Sequence, residues 1–271
     1  MKKIEGAERD ALILQILKRI DADTQVVGAP ERAEAWERGW SEARQKFRNK
    51  PVAESLIPAF IHVDQPVRWK QEFYQPDAEQ NELTHVRMMQ DWIGNHLEDC
   101  ASIYEFGCGT GFNLVALAQR LQNTFVYGFD FSPAAVDLVN QAGWALQLPI
   151  VAYYCDMLAP KLALQHNCGV FTFGAIEQLA GKFVPFIEYL LANKPKIIVH
   201  VEPCIELLDE NNLVDYLAIM FMKKRGYTSG LLPWLQNDPR VEVIAVERPG
   251  FGSLMIDSYN LIVWRPRAEN R

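Results

Sequence analysis

The chain has 271 residues, 49% of them hydrophobic and 23% charged, with a formal net charge of -7. That length and balance suit a globular protein with one large domain and a modest extension. The acidic excess argues against nucleic acid as the main partner, because duplex binding draws on clustered Lys and Arg.

Before residue 100 the pattern is helical. Residues 7–20 set Ala11, Ile13, Leu14, Ile16, Leu17 and Ile20 on one broad apolar face. Glu5, Glu8, Arg9 and Asp10 precede this stretch and no small-residue cleavage pattern follows it, so no signal peptide is expected. No apolar run reaches membrane-spanning length. A second helix opens at Pro30 and carries Trp36 and Trp40 on the same face; the pair reads as core packing in preference to a ligand platform. The stretch "SLIPAFIHVDQPVRWKQEFYQPDAEQ", broken by three prolines, is less regular, and a third amphipathic helix covers about 80–97.

From residue 102 strands and helices alternate. "SIYEF", "TFVYGFD", "PIVAYYCD", "GVFTFG", "KIIVHVE", "VEVIAVE" and "NLIVWR" are rich in Val, Ile and aromatics, as buried strands are. The alternation predicts an α/β fold with a doubly wound, mostly parallel seven-stranded sheet. The last two strands are joined by "RPGFGSLMIDSY", too short for a crossover helix, and should pair as a terminal antiparallel hairpin. The expected division is a helical N-terminal extension over residues 1–99, capping an α/β domain over 100–271. The five cysteines are odd in number and include no C-x-x-C pair, so they read as buried thiols in a reducing cytoplasm.

The first strand runs into "EFGCGTG". A phosphate-binding loop needs Lys and Ser or Thr after its last glycine, but here Phe112 and Asn113 follow Gly111, and the next basic residue is Arg120. A dinucleotide fingerprint is spaced G-x-G-x-x-G, whereas Gly107, Gly109 and Gly111 are spaced G-x-G-x-G. Glu105, two residues before the first glycine, would face a pyrophosphate and suits a ligand with a positive group better. Asp130 ends the second strand nineteen residues after Gly111, where a doubly wound nucleotide-binding sheet places the acid that holds ribose hydroxyls.

This E-x-G-x-G-x-G run with its strand-end acids resembles the class I S-adenosylmethionine-dependent methyltransferases, over roughly residues 100–264. The resemblance implies that Gly107, Cys108, Gly109 and Gly111 turn under the methionine part of the cofactor, with Glu105 near its ammonium. It implies Asp130 on the ribose and Phe131 beside the adenine. Asp156 would accept from the adenine amino group, Met157 would supply an apolar edge, and Gly174 would lie beneath the cofactor. S-adenosylmethionine is therefore the expected cofactor and S-adenosylhomocysteine the product. Relatives commonly cover the cofactor with a segment before the domain, which makes Arg68 and Tyr74, next to Trp69 and Phe73, candidates to meet it.

For catalysis the candidates are Glu177, beside Gln178 after the fourth strand, and Glu202 at the end of the fifth. Both would act as base or bind the acceptor, whereas His200 reads as structural. No metal is expected, since the Asp–Asp–Asn pattern of the metal-dependent branch is not evident. Carboxylates facing the cofactor favour a neutral or cationic small-molecule acceptor, methylated on oxygen or nitrogen. The rivals are a nucleic-acid or protein methyltransferase, whose Asn-Pro-Pro-aromatic signature is replaced here by "GAIEQL", a non-catalytic cofactor-binding protein, and a nicotinamide oxidoreductase. Oligomerisation stays open.

Overall fold

The computed structural model of the chain describes residues 1–122 and 124–268. Strand β1 (Lys2–Lys3) leads into helix α1 (Gly6–Ala22), whose buried side is the row Leu12, Ile16 and Ile20. Leu14 and Leu17, expected on the buried face, are exposed, because α1 lies at the surface and buries only a narrow i, i+4, i+8 stripe. Helix α2 (Pro30–Asn49) starts at its proline, where the missing N–H leaves no helical bond unmade. The proline-broken stretch holds a hairpin of β2 (Val67–Trp69) and β3 (Glu72–Gln75). Its turn residues Lys70 and Gln71 both have positive φ (47° and 64°), the conformation that matches strand twist in two-residue turns. Helix α3 (Glu82–Leu97) begins with a reciprocal cap between Asn81 and Thr84.

The alternating part contains β4 (Ser102–Phe106), α4 (Phe112–Arg120), β5 (Phe125–Asp130), α5 (Pro133–Leu146), β6 (Ile150–Tyr154), β7 (Cys168–Phe173), α6 (Val184–Asn193) and β8 (Ile197–Glu202). Helices α7 (Leu213–Arg225) and α8 (Leu231–Asn237) follow, then β9 (Val241–Glu247), β10 (Phe251–Gly252) and β11 (Asn260–Pro266). Seven strands form one sheet in the order β6-β5-β4-β7-β8-β11-β9, parallel from β6 to β8, with β11 antiparallel to both its neighbours. The terminal hairpin is therefore as expected. Consecutive residues bury on opposite faces: Ile103, Phe171, Val199 and Leu261 on one, Tyr104, Val170, Ile198 and Ile262 on the other.

The N-terminal part is not purely helical. Strands β1, β3 and β2 join β10, from the loop of the terminal hairpin, in a second, antiparallel sheet of four strands. Strands of two to four residues are too short to show a period of two, and the partner of β2 lies far along the chain. Within the large sheet β5 and β7 both flank β4, so the connections leave β4 in opposite directions and a crevice opens at the strands' carboxyl ends. Among the described residues no helix is long and apolar enough to cross a membrane.

Candidate functional site

That crevice contains a cavity of about 390 Å³. Its floor is the glycine loop after β4 and the ends of β5, β6 and β7; its roof is α2 with Phe60 and Ile61. Gly107, Gly109 and Gly111 all adopt left-handed backbone, with φ of 76°, 50° and 76°, which side chains disfavour. Each glycine also admits a close neighbour. A Cβ on Gly107 would lie 2.4 Å from the Ala175 Cβ, one on Gly109 3.0 Å from the Trp40 ring, and one on Gly111 2.8 Å from a Val139 methyl. Gly111 is outside the cavity wall: it opens α4 and packs against α5. The amino end of α4 has no side-chain cap, which leaves an anion-receptive row of N–H groups.

Glu105 is buried at the cavity floor. Its Oε1 accepts from Asn113 Nδ2 at 2.8 Å, and its Oε2 has no partner among the described residues. Burial, reinforced by nearby Asp130, holds this carboxyl well above the ordinary carboxylate range. A buried acceptor left open in this way is stabilised by any ligand that brings a charged donor to it. Asp130 is also buried: Oδ2 accepts from Gly109 N and Oδ1 from Ser132 N, both at 2.9 Å. Burial pushes it up to about 6 against those amides, and each oxygen retains acceptor capacity. Phe131 at the rim, exposed Asp156, buried Met157 and Gly107, Cys108, Gly109 and Gly174 complete the part of the wall anticipated from the motif. Asp156 spends one lone pair on Leu158 N at 2.8 Å.

The residues that form the roof were not anticipated as cavity wall. Arg32, Trp36 and Trp40 recur every four residues along α2 and line the cavity. The indoles stack at 5.1 Å with an 18° interplanar angle, and Phe60 meets them edge-on at 6.2 and 6.5 Å. The tryptophans are thus half-buried walls of a cavity and not interior core, and their regular spacing was the available signal. Glu37 fastens α2 to the start of α5 by accepting from Ser132 Oγ and Ala134 N, and Arg44 pairs with Asp137 at 2.7 Å.

Several expected site residues lie elsewhere. Arg68 is buried beneath the small sheet, where its Nε donates to Leu254 O at 2.9 Å and its Nη1 to Val214 O. Tyr74 packs edge-on against Trp69, with ring centres 5.5 Å apart. Neither lines the cavity, because their hairpin turns aside to pair with β10. Glu202 is buried, and its carboxylate accepts from the backbone N–H groups of Ala175, Ile176 and Glu177 at 3.0, 3.1 and 3.3 Å. It shapes the loop after β7 and has no cavity face. His200 is buried and accepts from Trp264 Nε1 at 2.9 Å, with Nδ1 2.9 Å from Thr172 Oγ1; burial lowers it to about 3, so the ring is neutral.

Glu177 stands one residue behind the wall. Gln178 lines the cavity and donates to Glu177 Oε1 at 2.7 Å. Burial and neighbouring Glu202 push Glu177 up to about 8. Neither of the carboxylates that suggested a neutral or cationic acceptor therefore opens onto the cavity.

Residues 103–184 match the family described as a methyltransferase domain. No curated protein sequence matches the chain. Among solved structures the chain is similar to the [4+2]-cyclase SpnF, with a TM-score of 0.58 and 10% identity over 85% of this chain and 96% of that one. It is similar to human N-acetylserotonin methyltransferase, solved with its S-adenosylmethionine cofactor, at 0.56 and 14% over 97% and 68% of the two chains. The 16S rRNA methyltransferase RmtF, solved with S-adenosyl-L-homocysteine, aligns at 0.51 and 14% over 95% and 90%. At such identities the likeness is one of fold.

Proposed function

We infer that this chain, a class I S-adenosylmethionine-dependent methyltransferase, methylates oxygen or nitrogen of a small or medium polar acceptor. The methyltransferase-domain match over residues 103–184 supports the enzyme class and cofactor. The observation that carries the reading to particular residues is the unpartnered Oε2 of Glu105 within the glycine-loop cavity. S-adenosylmethionine carries an ammonium, a sulfonium and a carboxylate but no phosphate, and this cavity offers a buried acid and an uncapped helix end.

On this reading Glu105 accepts from the ammonium and the amino end of α4 receives the carboxylate. Asp130 holds the ribose hydroxyls, Phe131 and Met157 flank the adenine, and Asp156 accepts from its amino group. When bound, the cofactor supplies an electrophilic methyl group for in-line displacement. The chain's own part is to hold the acceptor about 3 Å from that carbon and to keep water out. The aromatic roof serves both ends, and a roofed cavity suits a small molecule better than a duplex. Glu177, raised to about 8, is a strong proton acceptor once ionised. It serves an acceptor hydroxyl only if that group replaces the Gln178 amide now bonded to it.

Calorimetry with S-adenosylmethionine, S-adenosylhomocysteine and NAD tests the cofactor: the first two should bind and NAD should not. Binding of NAD alone would overturn the reading. A labelled methyl donor screened against metabolite pools then identifies the acceptor, with Glu177→Gln as the control. Unchanged turnover in that variant would remove Glu177 as the base.

A further inference from the structure

Four charged side chains line the cavity: Glu105, Asp130 and Asp156 from the sheet, and Arg32 from the roof. Among the described residues, Arg32 is the one cation in that lining. Its Nε donates to Gln178 Oε1 at 3.1 Å, and its guanidinium carbon lies 4.7 Å from the centre of the Trp36 ring. Neither Nη atom makes a hydrogen bond or ion pair to a described residue, so the forked end of the group is unused. Arg225, nearby in sequence to Tyr227, is by contrast committed to Asp23 at 2.7 Å. Burial, with the neighbouring Arg225 cation acting in the same sense, lowers the pKa of Arg32 despite the nearby Tyr227, Glu177 and Asp23, none of which bonds its Nη atoms.

The cofactor does not require this cation. Its ammonium, carboxylate and hydroxyls already have Glu105, the amino end of α4 and Asp130. The surface next to Arg32 is aromatic, with Trp36 and Trp40 stacked and Phe60 edge-on to both and 52% exposed. Such a wall takes up a flat π-system, and the planar fork of Arg pairs with a carboxylate through two parallel hydrogen bonds.

Resting on the S-adenosylmethionine reading, we propose that Arg32 and the Trp36–Trp40–Phe60 wall form the acceptor subsite, and that the acceptor is a planar aromatic molecule bearing a carboxylate. Gln178 fixes Nε and presents the two Nη atoms to that carboxylate; the aromatic wall covers the ring.

The probes are 2-naphthoate, its uncharged amide 2-naphthamide and the flexible, non-aromatic hexanoate, titrated calorimetrically into protein saturated with S-adenosylhomocysteine and into free protein. Naphthoate should bind at least about tenfold more tightly than either other probe. Arg32→Gln should erase the gap between naphthoate and naphthamide while leaving S-adenosylhomocysteine affinity within about twofold, which also reports that the variant is folded. Equal binding of naphthoate and naphthamide, no detectable naphthoate binding, or a gap that survives Arg32→Gln would overturn the proposal. So would a large loss of S-adenosylhomocysteine affinity in Arg32→Gln, which would give the residue to the cofactor. Wild-type protein that does not bind S-adenosylhomocysteine would instead overturn the cofactor reading, and the gap measured on free protein would still decide whether Arg32 anchors the carboxylate.

Discussion

The floor and the roof of the cavity hold their polar groups by different means. On the floor, Asp130 is gripped by the Gly109 and Ser132 amides and Glu105 by Asn113, while behind it Glu202 is held by three amides of the loop after β7. These bonds are mostly to backbone in a buried setting, so the floor is pre-shaped by the sheet. The roof is attached through side chains on one face of α2, including an Arg44–Asp137 pair whose acid is 59% exposed. Pairs of that kind contribute about 0–1 kcal/mol each. The same cavity thus has one wall whose geometry is dictated by strand ends and one whose position depends on many small contacts.

The largest effect that separates them is expected at the glycines. Gly107→Val places a β-branched side chain at φ 76°, 2.4 Å from the Ala175 Cβ, and should cost roughly 2–5 kcal/mol of stability and abolish cofactor binding. Gly109→Ala meets only the Trp40 side chain at 3.0 Å and should cost less, because the roof can give way. Urea denaturation and S-adenosylhomocysteine calorimetry on both variants measure this; equal losses would erase the distinction between floor and roof.

Glu202→Ala comes next. It strands three loop amides and should lower stability by about 1–3 kcal/mol, together with kcat, although the residue has no cavity face. Unaltered stability would mean that the loop after β7 does not depend on it. Glu105→Gln should weaken S-adenosylmethionine binding about tenfold to a hundredfold through loss of a charge-assisted bond. Because the free carboxyl is held well above its ordinary range, ligand binding should release a proton, and wild-type affinity should rise with pH where the variant's does not.

Stability itself should respond to pH through the raised acids. Glu177 at about 8 and Asp130 at about 6 bind protons more tightly folded than unfolded, so their contribution is present below the unfolded values of 4.5 and 3.8 and is lost as pH rises through the folded ones. Glu177→Gln should flatten the decline between pH 4.5 and 8 by up to a few kcal/mol. His200 acts in the opposite sense: lowered to about 3, it contributes above 6.5 and the contribution is lost as pH falls. Chemical denaturation across this pH range checks both signs. The smallest effect is Arg44→Ala, where a change of about 0.5 kcal/mol or less is expected by thermal unfolding, with cofactor affinity unmoved.

Much of the floor was legible in the chain. The glycine spacing, Glu105, Asp130 and Asp156 are all strand-end residues within one run of βα units, and a short strand leading into a tight turn and helix leaves its mark over few residues. The terminal hairpin was legible for a related reason, since loop length alone forbids a crossover. Arg68 and Tyr74 were misplaced because the strands that hold them are too short to read, and their partner β10 is far along the chain. Trp36 and Trp40 were visible as a pair, but nothing in α2 tells whether its aromatic face meets a core or a cavity.

By itself the sequence determined the seven-stranded sheet with its terminal hairpin and the strand-end run of glycines and acids that lines the cavity. Backbone conformation and strand-end position are local properties that neighbouring residues specify. The tertiary structure alone decided which carboxylates remain open. Glu105 and Glu202 look alike in sequence, two acids at strand ends, yet Glu202 is saturated by amides of a separate loop while Glu105 keeps a bare oxygen on the cavity. Burial and hydrogen-bond saturation depend on groups brought together from distant parts of the chain, and so does the aromatic roof that Arg32 shares.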